Sequence, residues 1–350
     1  MNKKLLKQLA YLIIVIGIIS FAVIYCTIDL NSISQLDLFK VEYVLMALAS
    51  VALGFVFDGT RLRSLLSTVD ERITLKETAK VVFSNYFLAL LTPGATGAAV
   101  AQVMFLKKAG VPVSKATVVV LVRTVMSIGF LILVLPLALR MDGAVTPWLS
   151  KDALEIISVF LIGALFVLVY LVRTTYPEQL LVFLTRKLNH DLKRRIYKFY
   201  KELKITILIF IKNPVTVLRA FIESGASLMF IYLTVPILFY GLDSTISMGD
   251  TMCRMIVLNL ILYFAPTPGG AGIAEGGFIV LFKPLLPVGT VGIMAIAWRT
   301  IVEYLPFTVG AYFSIQTFGT DVINKIYKKE RKSDEIGMDE EIEVDERDIH

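Results

Sequence analysis

The chain has 350 residues, of which 56% are hydrophobic and 18% charged, with a mean hydropathy of +0.74 and a formal net charge of +6. So much apolar surface exceeds what a water-soluble domain of this length can bury, which excludes an ordinary globular enzyme and turns most of that surface toward lipid. Two cysteines, Cys26 and Cys253, and two histidines, His190 and His350, are too few for a disulfide framework or a zinc site, so neither metal nor cofactor is expected.

A bilayer core about 30 Å thick needs roughly 20 mainly apolar helical residues to cross it. The first such run is Gln8 to Ile28, behind Lys3, Lys4 and Lys7. It is long for a signal sequence, lacks a small-x-small cleavage site, and has Tyr25 before Cys26, so it reads as a retained span. Uncharged runs follow at Tyr43 to Phe57, Thr124 to Leu139, Ile156 to Val172, Ser224 to Leu242 and Tyr304 to Thr320. Charged flanks let the shorter ones reach the headgroups.

Val81 to Leu106 is different, because Thr92-Pro93-Gly94 interrupts it near the middle. Thr can cap free backbone N–H groups and Pro fits a first helical position, so the step reads as one helix ending and another starting. About a dozen residues remain on each side, roughly 18 Å of helix, too short to cross the core. A re-entrant hairpin is expected.

Between Arg173 and Lys212 stand ten basic residues, Arg173, Arg186, Lys187, Lys193, Arg194, Arg195, Lys198, Lys201, Lys204 and Lys212, against Glu178, Asp191 and Glu202. Such an excess belongs on the cytoplasmic side, and counting the first hairpin as a full span would place it outside. Within it, Leu188, Leu192, Ile196, Phe199, Leu203 and Ile207 recur three and four apart, one apolar face opposite a lysine-rich one, as in a helix lying on the inner leaflet. No aromatic or fold signature accompanies the charge, so a nucleic-acid partner is not expected. After Lys332 the chain turns acidic, and 321–350 reads as a disordered cytoplasmic tail.

The chain repeats itself. Thr92-Pro93-Gly94-Ala95-Thr96-Gly97-Ala98-Ala99 matches Thr267-Pro268-Gly269-Gly270-Ala271-Gly272-Ile273-Ala274 at a displacement of 175, and Arg123-Thr124 matches Arg299-Thr300 at 176. Two matches at nearly one offset point to duplication, with repeat 1 over about 41–139 and repeat 2 over about 214–316. With the first hairpin entering from the cytoplasm and the second from outside, the repeats are inverted. The expected fold is therefore all-α and polytopic, with about six full spans plus two re-entrant helical hairpins in an inverted-topology repeat, both termini cytoplasmic and the whole in the cell membrane. Inverted pairs of broken helices meet near the bilayer midplane in many transporters, and irregular backbone at that depth needs protein or water around it. A polar internal cavity is expected.

Charged residues in the apolar runs are Arg123, Glu223, Arg254, Glu275, Arg299 and Glu303, each costing at least about 2.5 to 3.5 kcal/mol at a helix centre. Arg299 and Glu303, four apart, suit an intrahelical ion pair. Arg123 has no acid four residues away, and an acid of the other repeat, such as Glu275, is its expected partner. Glu275 has Val100 as its counterpart, so the site is asymmetric, and a transport role and a structural bridge to an arginine both fit it. Glu223 and Arg254 lie nearer span ends, where snorkelling suffices. The expected translocation site comprises Arg123, Arg299, Glu275, Glu303 and Glu223 with the break residues Thr92, Pro93, Gly94 and Gly97, and Thr267, Pro268, Gly269, Gly270 and Gly272.

The run Pro266-Thr267-Pro268-Gly269-Gly270-Ala271-Gly272-Ile273-Ala274-Glu275-Gly276, and more loosely Thr92 to Gly97 and Arg123, resembles the transmembrane, flippase-like region of lysylphosphatidylglycerol synthases over roughly residues 8 to 320. Ala98 and Ala274 stand where that family often has an acid and a basic residue. The resemblance implies carriage of a lipid across the bilayer, whereas the synthases' soluble domain, which moves an aminoacyl group from tRNA to phosphatidylglycerol, has no counterpart in the thirty residues after Thr320. Arginine and helix N-termini at Gly94 and Gly269 would favour a phosphate headgroup. No nucleotide-binding motif is present. The expectation is a translocase for membrane lipids. A non-transporting subunit beside a lipid-modifying or glycan-assembling enzyme is the alternative, a homo-oligomer is compatible with either, and an intramembrane enzyme would need a nucleophile or metal beside Glu275 that the sequence does not supply.

Overall fold

A computed structural model describes residues 40–92, 96–141, 190–243 and 245–318, with isolated positions between 156 and 185. The expected first span Gln8 to Ile28, the break residues Pro93 and Gly94, nearly all of the Ile156 to Val172 run and the acidic tail lie outside them.

The described chain is helical throughout. Helix α1 is Val41–Thr68, and it does not stop at Asp58, where the uncharged run ends. It stops at Asp70, whose φ of 58° carries the chain into the left-handed region while the Glu71 N–H returns to Leu66 O at 3.0 Å. Asp tolerates that conformation better than most residues with a Cβ. Helix α2, Leu75–Leu91, starts on a reciprocal cap in which the Thr74 hydroxyl accepts from Glu77 N–H and the Glu77 carboxylate accepts from Thr74 N–H. Helix α3, Thr96–Lys108, ends on Lys107 and Lys108, with Gly110 at φ 94° beyond it.

Helix α4, Val113–Met141, contains Pro136, and α5, His190–Lys212, carries the part of the basic segment from Lys193 onward. Helices α6, Pro214–Tyr232, and α7, Thr234–Leu242, follow each other as one span interrupted at Leu233, because Pro236 cannot donate to Tyr232 O. Helix α8, Met248–Tyr263, is followed by a break and then α9, Ile273–Phe282. Helix α10, Val291–Arg299, runs through a π-turn at Thr300–Tyr304 into a helical stretch over 305–318. Leu305 N–H reaches back to Thr300 O, and Pro306, which lacks an N–H, cannot restore the α pattern at the next position.

Three of these segments, Val41–Thr68, Val113–Ala138 and Pro214–Leu242, are long and apolar enough to cross a membrane. Two other pairs form helical hairpins. In the first, α2 and α3 lie side by side, Gln102 donating to Asn85 at 2.7 Å. In the second, α8 and α9 do, Arg254 donating to Leu281 O and Gly277 packing on Leu258. The arms have 17 and 13, and 16 and 10 residues. At 1.5 Å per residue none exceeds about 26 Å, short of the bilayer core.

The hairpins meet at their breaks. A Cβ on Gly269 would lie 2.4 Å from Leu90 Cδ2 and 3.2 Å from Leu90 Cα, so the last turn of α2 rests on glycine backbone. The helices that follow each hairpin cross over: α4 packs on α8, where Cys253 donates to Ala138 O, and 305–318 packs on α2, where Gly310 presses on Phe83 O.

Two apolar cores result. One gathers Ala47 and Val51 of α1 and Leu131 and Leu135 of α4 with α6 to α10, and the other gathers Leu62 and Leu65 of α1 and Val118 to Val120 of α4 with α2, α3 and α5. Asp58 and Arg61 lie on the stretch of α1 between the two cores, and Arg123 lies on α4 between Val120 and Met126 of the second core.

Candidate functional site

A buried charge must be paired and hydrogen-bonded, or it costs several kcal/mol. In the first cluster, Asp58 meets that demand for two arginines at once. Its Oδ2 accepts from Arg123 Nη2 and its Oδ1 from Arg61 Nη2, with Arg123 Nε also donating to Oδ1 at 3.2 Å. All three side chains are at most 10% exposed. The remaining donors go to neutral oxygens: Arg61 Nη1 to the hydroxyls of Ser127 and Ser224, each at 2.7 Å, and Arg123 Nη1 to the Gln102 side-chain carbonyl. One cluster thus joins α1, α3, α4 and α6.

Arg123 was expected to pair with an acid of the other repeat such as Glu275; its partner is Asp58. The correction has a geometric cause. Asp58 lies on the buried face of α1 that also carries Ala47, Ser50, Val51, Gly54, Arg61, Leu62 and Leu65, spaced three and four apart. This face packs on α6, where a Cβ on Gly54 would meet Ile231 and Ser227, and brings Asp58 to Arg123. Asp58 and Arg61 are the residues sequence reasoning missed, since they look like the charged end of a span. Their spacing of three, with no helix stop before Asp70, was the available signal.

In the second cluster, Arg299 Nε donates to Glu275 Oε1 at 3.0 Å and Nη1 to Glu303 Oε2, while Nη1 and Nη2 both donate to Gly269 O at 3.1 Å. Arg299 and Glu275 are 2% and 3% exposed and Glu303 19%. The pair of Arg299 and Glu303 that the spacing of four suggests is present, and Glu275 bridges to an arginine, that of its own half.

The break residues arrange differently from expectation. Thr92 does cap: its hydroxyl accepts from Gly97 N–H at 2.9 Å and donates to Leu88 O. Thr267 does not. Pro268–Gly270 is a single 3-10 turn with Gly269 and Gly270 at φ 58° and 67°, and the α-helix begins at Ile273 after Gly272 at φ 81°. Glu275 Oε2 accepts from Gly272 N–H at 2.7 Å, so the helix N-terminus already holds a carboxylate, and the group Gly269 presents to Arg299 is its carbonyl. A free anion-binding N-terminus at Gly269 is therefore not what the described conformation offers.

Glu223 and Arg254, read as snorkelling, are both buried. Each sits in a helix–helix interface, where Glu223 Oε1 accepts from Arg219 Nε at 3.1 Å and from the Ser64 hydroxyl at 3.4 Å, and Arg254 donates to Leu281 O. Tyr86 lies within electrostatic reach of Asp58, Arg123 and Glu303, and Tyr263 is hydrogen-bonded to Ser127. Each cluster is bonded to one hairpin, the first through Arg123 to Gln102 and the second through Arg299 to Gly269 O. Among the described residues no group of His, Cys, Asp and Glu could hold a metal ion.

Apolar helices long enough to span, closed around buried ion pairs, define a multi-pass α-helical membrane protein. Residues 8–310 match the family model of the lysylphosphatidylglycerol synthase TM region, and the chain belongs to that family. The match is to the membrane region, and no catalytic domain is detected in the 350 residues. Among curated proteins, none matches the chain.

Proposed function

We propose that this chain is a lipid translocase, moving anionic or aminoacylated phospholipid, or a polyprenyl-phosphate-linked lipid, between leaflets. The carrying observation is the pair of buried ionic clusters, one around Arg123 and one around Arg299, each bonded to one of the two hairpins. Ion pairs at that depth are a costly way to hold helices together, and a site for a charged headgroup accounts for them.

The two halves are read as an inverted repeat with re-entrant hairpins. The reciprocal packing supports this, since the helix after each hairpin lies on the first arm of the other, and short arms suit segments that enter and return. On this reading Arg123, Arg299, Glu275, Glu303 and Glu223 line the route, the break residues Thr92 and Gly97 with Thr267, Pro268, Gly269, Gly270 and Gly272 border it, and headgroup phosphate competes with carboxylate for arginine. The basic helix α5 lies at the cytoplasmic leaflet, with both termini on that side.

The test is leaflet exchange in proteoliposomes with short-chain fluorescent lipids of several headgroups, comparing the intact protein with Arg123→Ala and Glu275→Gln. Headgroup-selective exchange lost in both variants is expected. A second reading, a non-transporting subunit assisting a lipid-modifying or glycan-assembling enzyme, draws on the fact that Arg123 and Arg299 are each already bonded to a carboxylate. No exchange above empty liposomes, from protein of native elution and thermal stability, selects it.

A further inference from the structure

The two clusters differ in charge. Around Arg299 two carboxylates, Glu275 and Glu303, face one guanidinium, whereas around Asp58 two guanidinium groups, Arg61 and Arg123, share one carboxylate. Glu223 on the neighbouring α6 accepts from Arg219 and Ser64, and is not paired with Arg61 or Arg123. The Asp58 cluster therefore carries a surplus of one positive charge in a buried setting, and the Arg299 cluster a surplus of one negative.

The surplus is not only formal. Arg61 is 6% exposed at the side chain, and its Nε–H is buried with no hydrogen-bond partner among the described residues. A buried donor without an acceptor is uncommon in folded proteins and calls for an explanation. Its Nη2 ends on Asp58 and its Nη1 on the hydroxyls of Ser127 and Ser224; a hydroxyl that accepts can also donate, and with Ser127 engaged by Tyr263, Ser224 and Arg61 present donors to an anion at that place.

We propose that Asp58, Arg61 and Arg123 form a binding site for one phosphate monoanion, with Arg61 Nε, the Arg123 fork and the Ser224 hydroxyl as its donors and Asp58 as the internal competitor that occupies the arginines when the anion is absent. Guanidinium forks match tetrahedral oxyanions two bonds at a time, which a carboxylate shared between two arginines cannot fully replace. Arg299, oversupplied with carboxylates, is not the phosphate's residue. This deepens the translocase reading by assigning the headgroup's anion to one of the two clusters, and it is measured without translocation.

The full chain in an uncharged maltoside detergent is titrated with dihexanoyl-phosphatidylglycerol, inorganic phosphate and uncharged dihexanoylglycerol, and the thermal unfolding transition gives the affinities by mass action. Saturable stabilisation by phosphatidylglycerol but not phosphate assigns a lipid phosphodiester, and stabilisation by both assigns free phosphate as an equal ligand. Asp58→Asn, which removes the competitor, tightens binding about tenfold, as expected for releasing charge-assisted hydrogen bonds to the ligand. Arg61→Lys, which keeps the charge but loses Nε and the fork, weakens it about tenfold and stands in if Asp58→Asn does not fold. Neither anion acting at ~10 mM, where a Kd near 1 mM would already be saturated, or Arg61→Lys binding as tightly as the unaltered chain, overturns the site. Leaflet exchange without such binding would leave the translocase standing and remove this site alone.

Discussion

Arg299→Gln tests whether charge balance holds the second hairpin in place. The substitution removes donors to Glu275, Glu303 and Gly269 O and strands two carboxylates. Glu303, 19% exposed, can reach solvent or headgroups, but Glu275, 3% exposed, keeps only its bond from Gly272 N–H. Removing one partner of a buried ion pair costs about 3–5 kcal/mol, and most of that loss belongs to Glu275. Glu275→Gln alone should cost much less, about 1–2 kcal/mol, because an amide oxygen still accepts from Gly272 N–H and Arg299 keeps Glu303. Added to Arg299→Gln, it removes the stranded charge and should recover about half of the loss. Thermal unfolding of the detergent-solubilised full chain, checked by monodisperse elution, reads all three. An Arg299→Gln protein within about 0.5 kcal/mol of the parent, or a double variant no better than Arg299→Gln, would refute the reasoning, since additive effects mean no coupling between the groups.

Three smaller predictions follow from contacts elsewhere. Gly310→Ala puts a Cβ 2.2 Å from the Phe83 carbonyl oxygen, and backbone cannot move aside as a side chain can, so the 305–318 helix must shift off α2 at a cost of about 1–3 kcal/mol in the same unfolding assay. Thr92→Val keeps the shape at the first break but loses the cap on Gly97 N–H, and should lower stability by about 1 kcal/mol, whereas Thr92→Ser should retain most of it. Cys253, 2% exposed at the contact of α8 with α4, should resist maleimide labelling in a Cys26→Ser background until the protein is denatured; rapid labelling of the native protein would contradict that packing.

Much of this molecule was legible in its residues because a bilayer makes simple demands. Spans announce themselves by length and lack of charge, and the family match over residues 8–310 agrees with the resemblance carried by the Thr-Pro-Gly runs. The helical breaks were legible because Pro and Gly act locally, and Thr92 caps as its chemistry suggests. The pair of Arg299 and Glu303 was legible because a spacing of four fixes proximity on one helix.

What the sequence could not state is which helices face each other. Arg123 finds Asp58 across 65 residues, a pairing set by the small-residue face of α1 around Gly54 and its packing on α6, and no local rule predicts it. The same ignorance made Asp58 and Arg61 look like the end of a span, and Glu223 and Arg254 like residues reaching for the headgroups. At the second break, Thr-Pro-Gly chemistry alone placed the helix start at the proline. The tertiary contact of Gly269 with Leu90 and the grip of Arg299 on the Gly269 carbonyl hold a left-handed turn there instead, and the helix starts only at Ile273, with Glu275 on its first free N–H. Composition and periodicity thus determined that this chain is a bundle of apolar helices with two breaks and a few expensive charges. Only the packed structure decided how those charges divide, two arginines on one acid and two acids on one arginine, because ion pairing in a low-dielectric interior depends on distances across helices that the order of residues does not contain.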